Sequence, residues 1–238
     1  MTLADWVARH PYLRPAAELH ESVDAALATI PIPTAVVPDW TKFLDDFHAG
    51  VPLLHSSAAA VDLAPIEPAL LSLLAALSGT TLGQRSHDAG WLTLLTSTIL
   101  ARYLRPVVRA FDQWRNEERW LRNHCPTCGT GPAMAQLVGR DPGRVRFLWC
   151  GRCRSHWRYR RTGCPFCENV DDHRLLVVDI EGESGLRIDY CESCRGYLKT
   201  YNGTGSEVVL LADWTSLHLD VLARDRGLER RAASLYDL

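Results

Sequence analysis

The chain has 238 residues, 47% of them apolar, which is enough for one large or two modest domains with ordinary cores. Its formal net charge is -2, and no run of about 18 uninterrupted apolar residues is present, which excludes a membrane-spanning helix. The near-balance is uneven, because residues 1–120 hold 9 basic and 13 acidic side chains whereas residues 121–238 hold 17 and 15.

Residues 1–13 place Asp5, Arg9 and His10 among apolar residues, so neither a secretory segment nor a twin-arginine signal is expected there. A soluble cytoplasmic protein is the expectation. Residues 15–30 open with proline and space Leu19, Val23, Ala26, Leu27 and Ile30 along one helical face. A proline-broken linker follows, and Asp39 is placed to cap a short helix carrying Trp40, Phe43, Leu44 and Phe47 up to Gly50. From Pro65 to a stop at Gly79 leucines fall on every side of the wheel, which predicts a helix buried nearly all round. Residues 90–122 read as continuous helix, with Trp91, Leu94, Leu95, Ile99, Tyr103, Leu104, Val108, Phe111, Trp114 and Leu121 on its apolar face and a kink or break at Pro106.

The texture then changes. Residues 133–138 and 145–149 flank the turn signal Arg140-Asp141-Pro142-Gly143, and residues 174–180 and 186–190 flank a second turn rich in glycine, so each pair predicts a hairpin. After Asn202-Gly203-Thr204-Gly205 a short strand is expected at residues 208–211. Asp213 would then cap a last helix with Trp214, Leu217, Val221 and Leu222 on one stripe, ending at Gly227.

All eight cysteines fall in four Cys-x-x-Cys pairs: Cys125/Cys128, Cys150/Cys153, Cys164/Cys167 and Cys191/Cys194. Each pair forms a knuckle that points two sulfurs at one spot, and four thiolates suit zinc or a rubredoxin-type iron. Four knuckles therefore make two sites. The similar hairpins between Cys128 and Cys150 and between Cys167 and Cys191 favour sequential pairing over a cross-brace. In a reducing compartment such pairs are metal ligands rather than disulfides. Closed four-cysteine sites are mostly structural staples, and the βαβ context of a dithiol oxidoreductase is missing.

Arg140, Arg144, Arg146, Arg152, Arg154, Arg158, Arg160 and Arg161 crowd one stretch against Asp141 alone, interleaved with Phe147, Trp149, Trp157 and Tyr159. That pattern suits nucleic acid, but it also suits neutralisation of anionic thiolate centres, and the second reading is preferred. His124 and His156 lie beside knuckles as supporting donors or surface residues, since no site lacks a fourth sulfur. No nucleophile elbow, phosphate loop or dinucleotide fingerprint occurs, so catalysis is not expected.

The segments CPTCGTGPAMAQL, VRFLWCGRCRSHWRYRRTGCPFCEN, YCESCRGYLKTY and ADWTSLHLDVLARDRGLER together resemble the formate dehydrogenase accessory protein FdhE family over residues 124–231. Departures from the family pattern are His156, where an acidic residue is expected, and Ala212-Asp213-Trp214 in place of an Asp-Asp-Leu helix start. The resemblance implies a non-enzymatic, cytoplasmic maturation factor. Such a factor binds the catalytic subunit of a respiratory formate dehydrogenase before its twin-arginine export, with the eight cysteines holding two rubredoxin-like centres. The alternatives are a zinc-ribbon nucleic-acid binder, less favoured, and a rubredoxin-like electron carrier.

The expected architecture is α+β: a helical domain at residues 1–122, a tandem rubredoxin/zinc-ribbon-like domain at 123–201, and a strand and helix at 202–238 packing back on the rest. Two metal ions, iron or zinc, are the expected cofactors. Arg152, Arg154, Arg158 and Arg160 are the expected partner-binding patch.

Overall fold

A computed structural model of the chain describes residues 7–8, 10–78, 89–140, 142–182, 185–204 and 206–232. Its architecture is α+β. Helix α1 (Arg14–Thr29) buries Val23 and Leu27. Asp39 accepts a hydrogen bond from Thr41 N at 3.0 Å and starts a turn that leads into α2 (Leu44–Ala49), which Gly50 ends at φ +83°. Helix α3 (Ile66–Leu77) buries only one face, Ala69, Leu73 and Leu77, while Leu71 stays 61% exposed. The all-round burial expected from its leucines is therefore corrected: it is a flank of the bundle against α1 and α4, not its centre.

The long helix expected at residues 90–122 is two helices, α4 (Ala89–Tyr103) and α5 (Arg105–Trp114). Pro106 lies in the first turn of α5, where its missing N–H costs nothing, so the break falls just before it at Leu104. The chain leaves α-helical geometry after Trp114, with only a 3-10 turn at Glu117–Arg119 beyond it, and Leu121 is 45% exposed rather than on an apolar face. The stop expected at Gly79 lies outside the described residues, as do parts of both hairpin turns, at Asp141 and at Glu183-Ser184.

The cysteine-rich half forms one seven-stranded mixed sheet. The first hairpin is β1 (Met134–Val138) and β2 (Val145–Trp149), the second β4 (Leu175–Asp179) and β5 (Leu186–Cys191). Each hairpin gains a third strand after its closing knuckle, β3 (His156–Tyr159) and β6 (Gly196–Asn202), neither of which was expected. The two three-stranded units join through parallel pairing of β1 with β6, Ala135 opposite Thr200, giving the order β3-β2-β1-β6-β5-β4, with β7 (Glu229–Arg230) beside β6.

The strand expected at residues 208–211 is instead inside helix α6 (Ser206–Thr215), followed by α7 (Leu217–Asp225). Asp213 does not cap a helix; it is buried within α6. Trp214 packs under Leu13 and Ala17, and Leu219 and Ala223 face the sheet, whereas Val221 of the expected stripe is exposed. A buried charge cluster sets this rotation. Lys199 Nζ of β6 lies 2.7 Å from Asp220 and 3.1 Å from Asp213, Arg230 reaches both acids at 2.5 and 2.6 Å, and Tyr197 Oη donates to Asp220 at 2.7 Å. Two acids and two bases balance out of water, so α6 and α7 must turn their carboxylates toward β6.

Candidate metal centres

The four knuckles share one backbone device. In the first three, the opening cysteine N–H donates to the carbonyl five residues on (Thr130, Ser155, Asn169), and its own carbonyl accepts from the N–H four residues on (Gly129, Arg154, Glu168). The residue after the closing cysteine is left-handed in all four: Gly129 at φ +74°, Arg154 at +61°, Glu168 at +58° and Arg195 at +59°. Backbone N–H groups of Thr127, Cys153, Phe166 and Gly196 point at knuckle sulfurs from 3.4 to 3.5 Å, as donors to thiolates should.

Cys125, Cys128, Cys150 and Cys153 form one cluster, and Cys164, Cys167, Cys191 and Cys194 the other, with all sulfurs of a cluster within 4.8 Å of one another. Pairing is therefore sequential, and the cross-brace is excluded. The nearest sulfurs are 3.4 and 3.5 Å apart in the first cluster and 3.7 and 3.8 Å apart in the second. A disulfide would need about 2.0 Å, whereas an ion about 2.3 Å from each of four tetrahedral sulfurs separates them by about 3.8 Å. The donor set fits a metal.

Electrostatics say the same. Burial pushes the Cys125 and Cys153 thiols well up, while hydrogen bonds from Cys125, Cys150 and Cys153 pull Cys128 down. One thiolate satisfies such a nest, and further ionisation calls for a cation. In the second cluster burial raises Cys164, but at Cys191 desolvation is outweighed by the N–H groups of Cys194 and Ser193 and by the neighbouring thiols, which bring it to about 7.

The two clusters differ in surroundings. All four cysteines of the first are buried, in the same apolar cluster as Phe43, Phe47, Phe111, Trp120 and Trp157. Leu53 N and Leu54 N clamp its first knuckle by donating to Pro126 O and Thr127 O, each at 2.8 Å, and Thr127 and Ser155 hydroxyls meet at 2.6 Å between its knuckles. In the second, Cys167 is exposed and Cys194 half-buried.

The arginines separate as well. Arg152 and Arg154 are exposed at the second knuckle, whereas exposed Arg160 packs against Gly163 beside the third, with its guanidinium 5.6 Å over the Tyr159 ring. Arg158 bonds Glu118 at 2.8 Å, and Arg146 is buried beside the second cluster. His124 contacts Trp120 and Gly50 O rather than a cysteine. His156 stacks on Trp149 at 4.8 Å and faces Asp112 at 3.7 Å. Burial and then the Arg115 guanidinium lower His156 to about 4, and burial lifts Asp112 to about 6 despite Arg115 at 2.8 Å.

No family model matches the chain. It is 34% identical over 133 residues to the protein FdhE homolog of Aquifex aeolicus, covering 54% of this chain and 47% of that one. It is 29% identical over 220 residues to the FdhE homolog of Pseudomonas aeruginosa, covering 82% and 66%. The fold matches the crystal structure of the FdhE protein from Pseudomonas aeruginosa with a TM-score of 0.66 and 22% identity over 97% of this chain and 91% of that one. In sequence and in fold, this chain is similar to the FdhE proteins. It spans between about half and two thirds of the length of those two curated FdhE homologues. No helix among the described residues is long and apolar enough to cross a membrane.

Proposed function

We propose that the chain is a non-catalytic accessory factor in formate dehydrogenase maturation, and that it binds the catalytic subunit in the cytoplasm before export. The carrying observation is kinship with FdhE homologues in a chain whose two four-sulfur clusters leave no open ligand position for substrate chemistry. In this reading iron or zinc fills both clusters through all eight cysteines, and Arg152, Arg154, Arg158 and Arg160 present a cationic face to an acidic surface of the client.

The test is affinity capture from the native host grown with formate, with copurifying proteins and metal content measured together. The expected result is a formate dehydrogenase catalytic subunit bound to wild type and lost from the double variant Arg152→Glu with Arg154→Glu, which keeps both metals. Absence of any such subunit from the wild-type capture contradicts the function. Full retention by the double variant contradicts the arginine patch alone and moves the interface elsewhere.

One observation favours a second reading. An exposed ligand such as Cys167 is where a rubredoxin-like carrier would exchange electrons. A visible absorbance that bleaches reversibly on reduction supports that role, and colourless zinc-loaded protein with full client binding rejects it.

A further inference from the structure

Beside the second cluster lies a cavity of about 230 Å³. Its floor is Val177, Asp189 and Leu198, which sit side by side in register across β4, β5 and β6. Phe166 of the third knuckle forms a wall, and Arg146, Arg161 and Arg187 line it against the carboxylates of Asp172 and Asp189.

Arg146 is the unusual member, at 5% exposure. Its Nη1 donates to Gly163 O at 3.0 Å, its nearest carboxylate, Asp189, is 3.9 Å away, and its Nε–H has no hydrogen-bond partner among the described residues. Asp189 is already engaged by Arg187 at 2.8 Å and by the Thr200 hydroxyl at 2.8 Å. A guanidinium withdrawn from water with one long ion pair is costly unless further negative charge reaches it.

We propose that this cavity binds a carboxylate on a small apolar stem, with Arg146 and Arg187 holding the carboxylate and Val177, Leu198 and Phe166 holding the stem. Two-pronged arginine recognition of a carboxylate supplies orientation as well as energy. The volume falls below the roughly 300 Å³ at which drug-sized pockets begin, so the occupant has the size of one phenyl or branched aliphatic acid. It is either a free organic acid or the acidic end of a peptide. The site is independent of client capture through the arginine patch. A competing use of Arg146 is to offset thiolate charge, since Cys164 is among its electrostatic neighbours.

Calorimetric titration of the metal-loaded chain with 3-phenylpropionate, with its neutral amide and with the amidated peptide acetyl-Phe-Asp separates these uses. The acid or the peptide should bind, the first indicating a free acid and the second a peptide source, and the amide should bind at least roughly tenfold more weakly. Arg146→Met should weaken binding by a similar factor with both metals retained. Val177→Trp, placed at a position 46% exposed, should block the cavity without removing charge and decides the matter should Arg146→Met not fold. Binding of neither probe, equal binding of acid and amide, or binding unchanged by Val177→Trp overturns the proposal. Metal loss from Arg146→Met with no acid binding assigns the arginine to the thiolates instead.

Discussion

Arg154, Glu168 and Arg195 hold a left-handed backbone at the position that Gly129 fills in the first knuckle. Left-handed geometry costs an ordinary residue about 1–2 kcal/mol, and here the metal-directed turn imposes it. Arg154→Gly should therefore leave thermal stability unchanged or raise it by up to about 1 kcal/mol. Gly129→Ala should lower it by about 1–2 kcal/mol, because the new methyl meets both the left-handed penalty and His55 Cε1 at 2.8 Å. Thermal melts of the two variants check the contrast.

Lys199 is a second case, 1% exposed and shared by Asp213 and Asp220. Lys199→Met removes one of the two bases that balance these buried acids and should cost about 3–5 kcal/mol in chemical denaturation. His156 carries a pH signature. Its pKa falls from 6.5 to about 4 on folding, so it contributes stability that is present above about pH 6.5 and lost as pH falls toward 4. Asp112, raised from 3.8 to about 6, works oppositely, losing stability as pH rises through that window. Replacing His156 by Phe should remove its share of the pH dependence, so that the melting temperature of the variant, relative to wild type, rises as pH falls from 7 to 5. The same shift in both proteins would contradict the assignment. None of these charge partnerships was legible in the sequence, where Asp213 reads as a helix cap and Lys199 carries no signal. Only the fold reveals that β6 faces inward on both sides.

At the level of elements, the two knuckle pairs are the same device in different settings. The first is enclosed by the 53–55 segment and the aromatic cluster, and the second opens at Cys167 and at the cavity. A chelator should therefore strip the second metal much faster than the first, in two resolved phases. Cys191→Ser should abolish the fast phase and Cys150→Ser the slow one. A single phase would show that enclosure does not govern release. Sequential pairing was legible because the turn signals between knuckles left room for one hairpin each. The third strands were not. His156–Tyr159 alternates tryptophan and tyrosine with arginine and histidine in a stretch that reads as a charged connector, and Gly196–Asn202 opens on glycine. Residues 208–211 misled in the other direction, since a short apolar run with two valines fits strand or buried helix equally until packing decides.

Across the whole molecule, the first centre and much of the helical half form one apolar cluster, in which Phe43, Leu104 and Phe111 pack with Cys125, Leu148 and Trp157. The change of sequence texture near residue 122 marks a change of chemistry, and packing runs across it. Losing the first metal should accordingly lower the melting temperature of the helical signal, whereas losing the second should leave it nearly unchanged. The α+β class and the grouping of the cysteines could be read from periodicity and cysteine spacing, but the helix count could not, because the helix expected at residues 90–122 is two and α6 stands where a strand was expected. The continuous sheet could not, because parallel pairing of β1 with β6 joins residues about 65 apart that carry no local signal.

The most direct measurement is the intact mass of the native chain and of two variants. The wild type should carry two metal ions, and Cys150→Ser and Cys191→Ser one each, with X-ray absorption of the wild type giving four sulfur neighbours at about 2.3 Å. A wild type that carries a single ion, or a mass two protons lighter for each Cys-x-x-Cys pair with no metal bound, would contradict two independent four-thiolate centres.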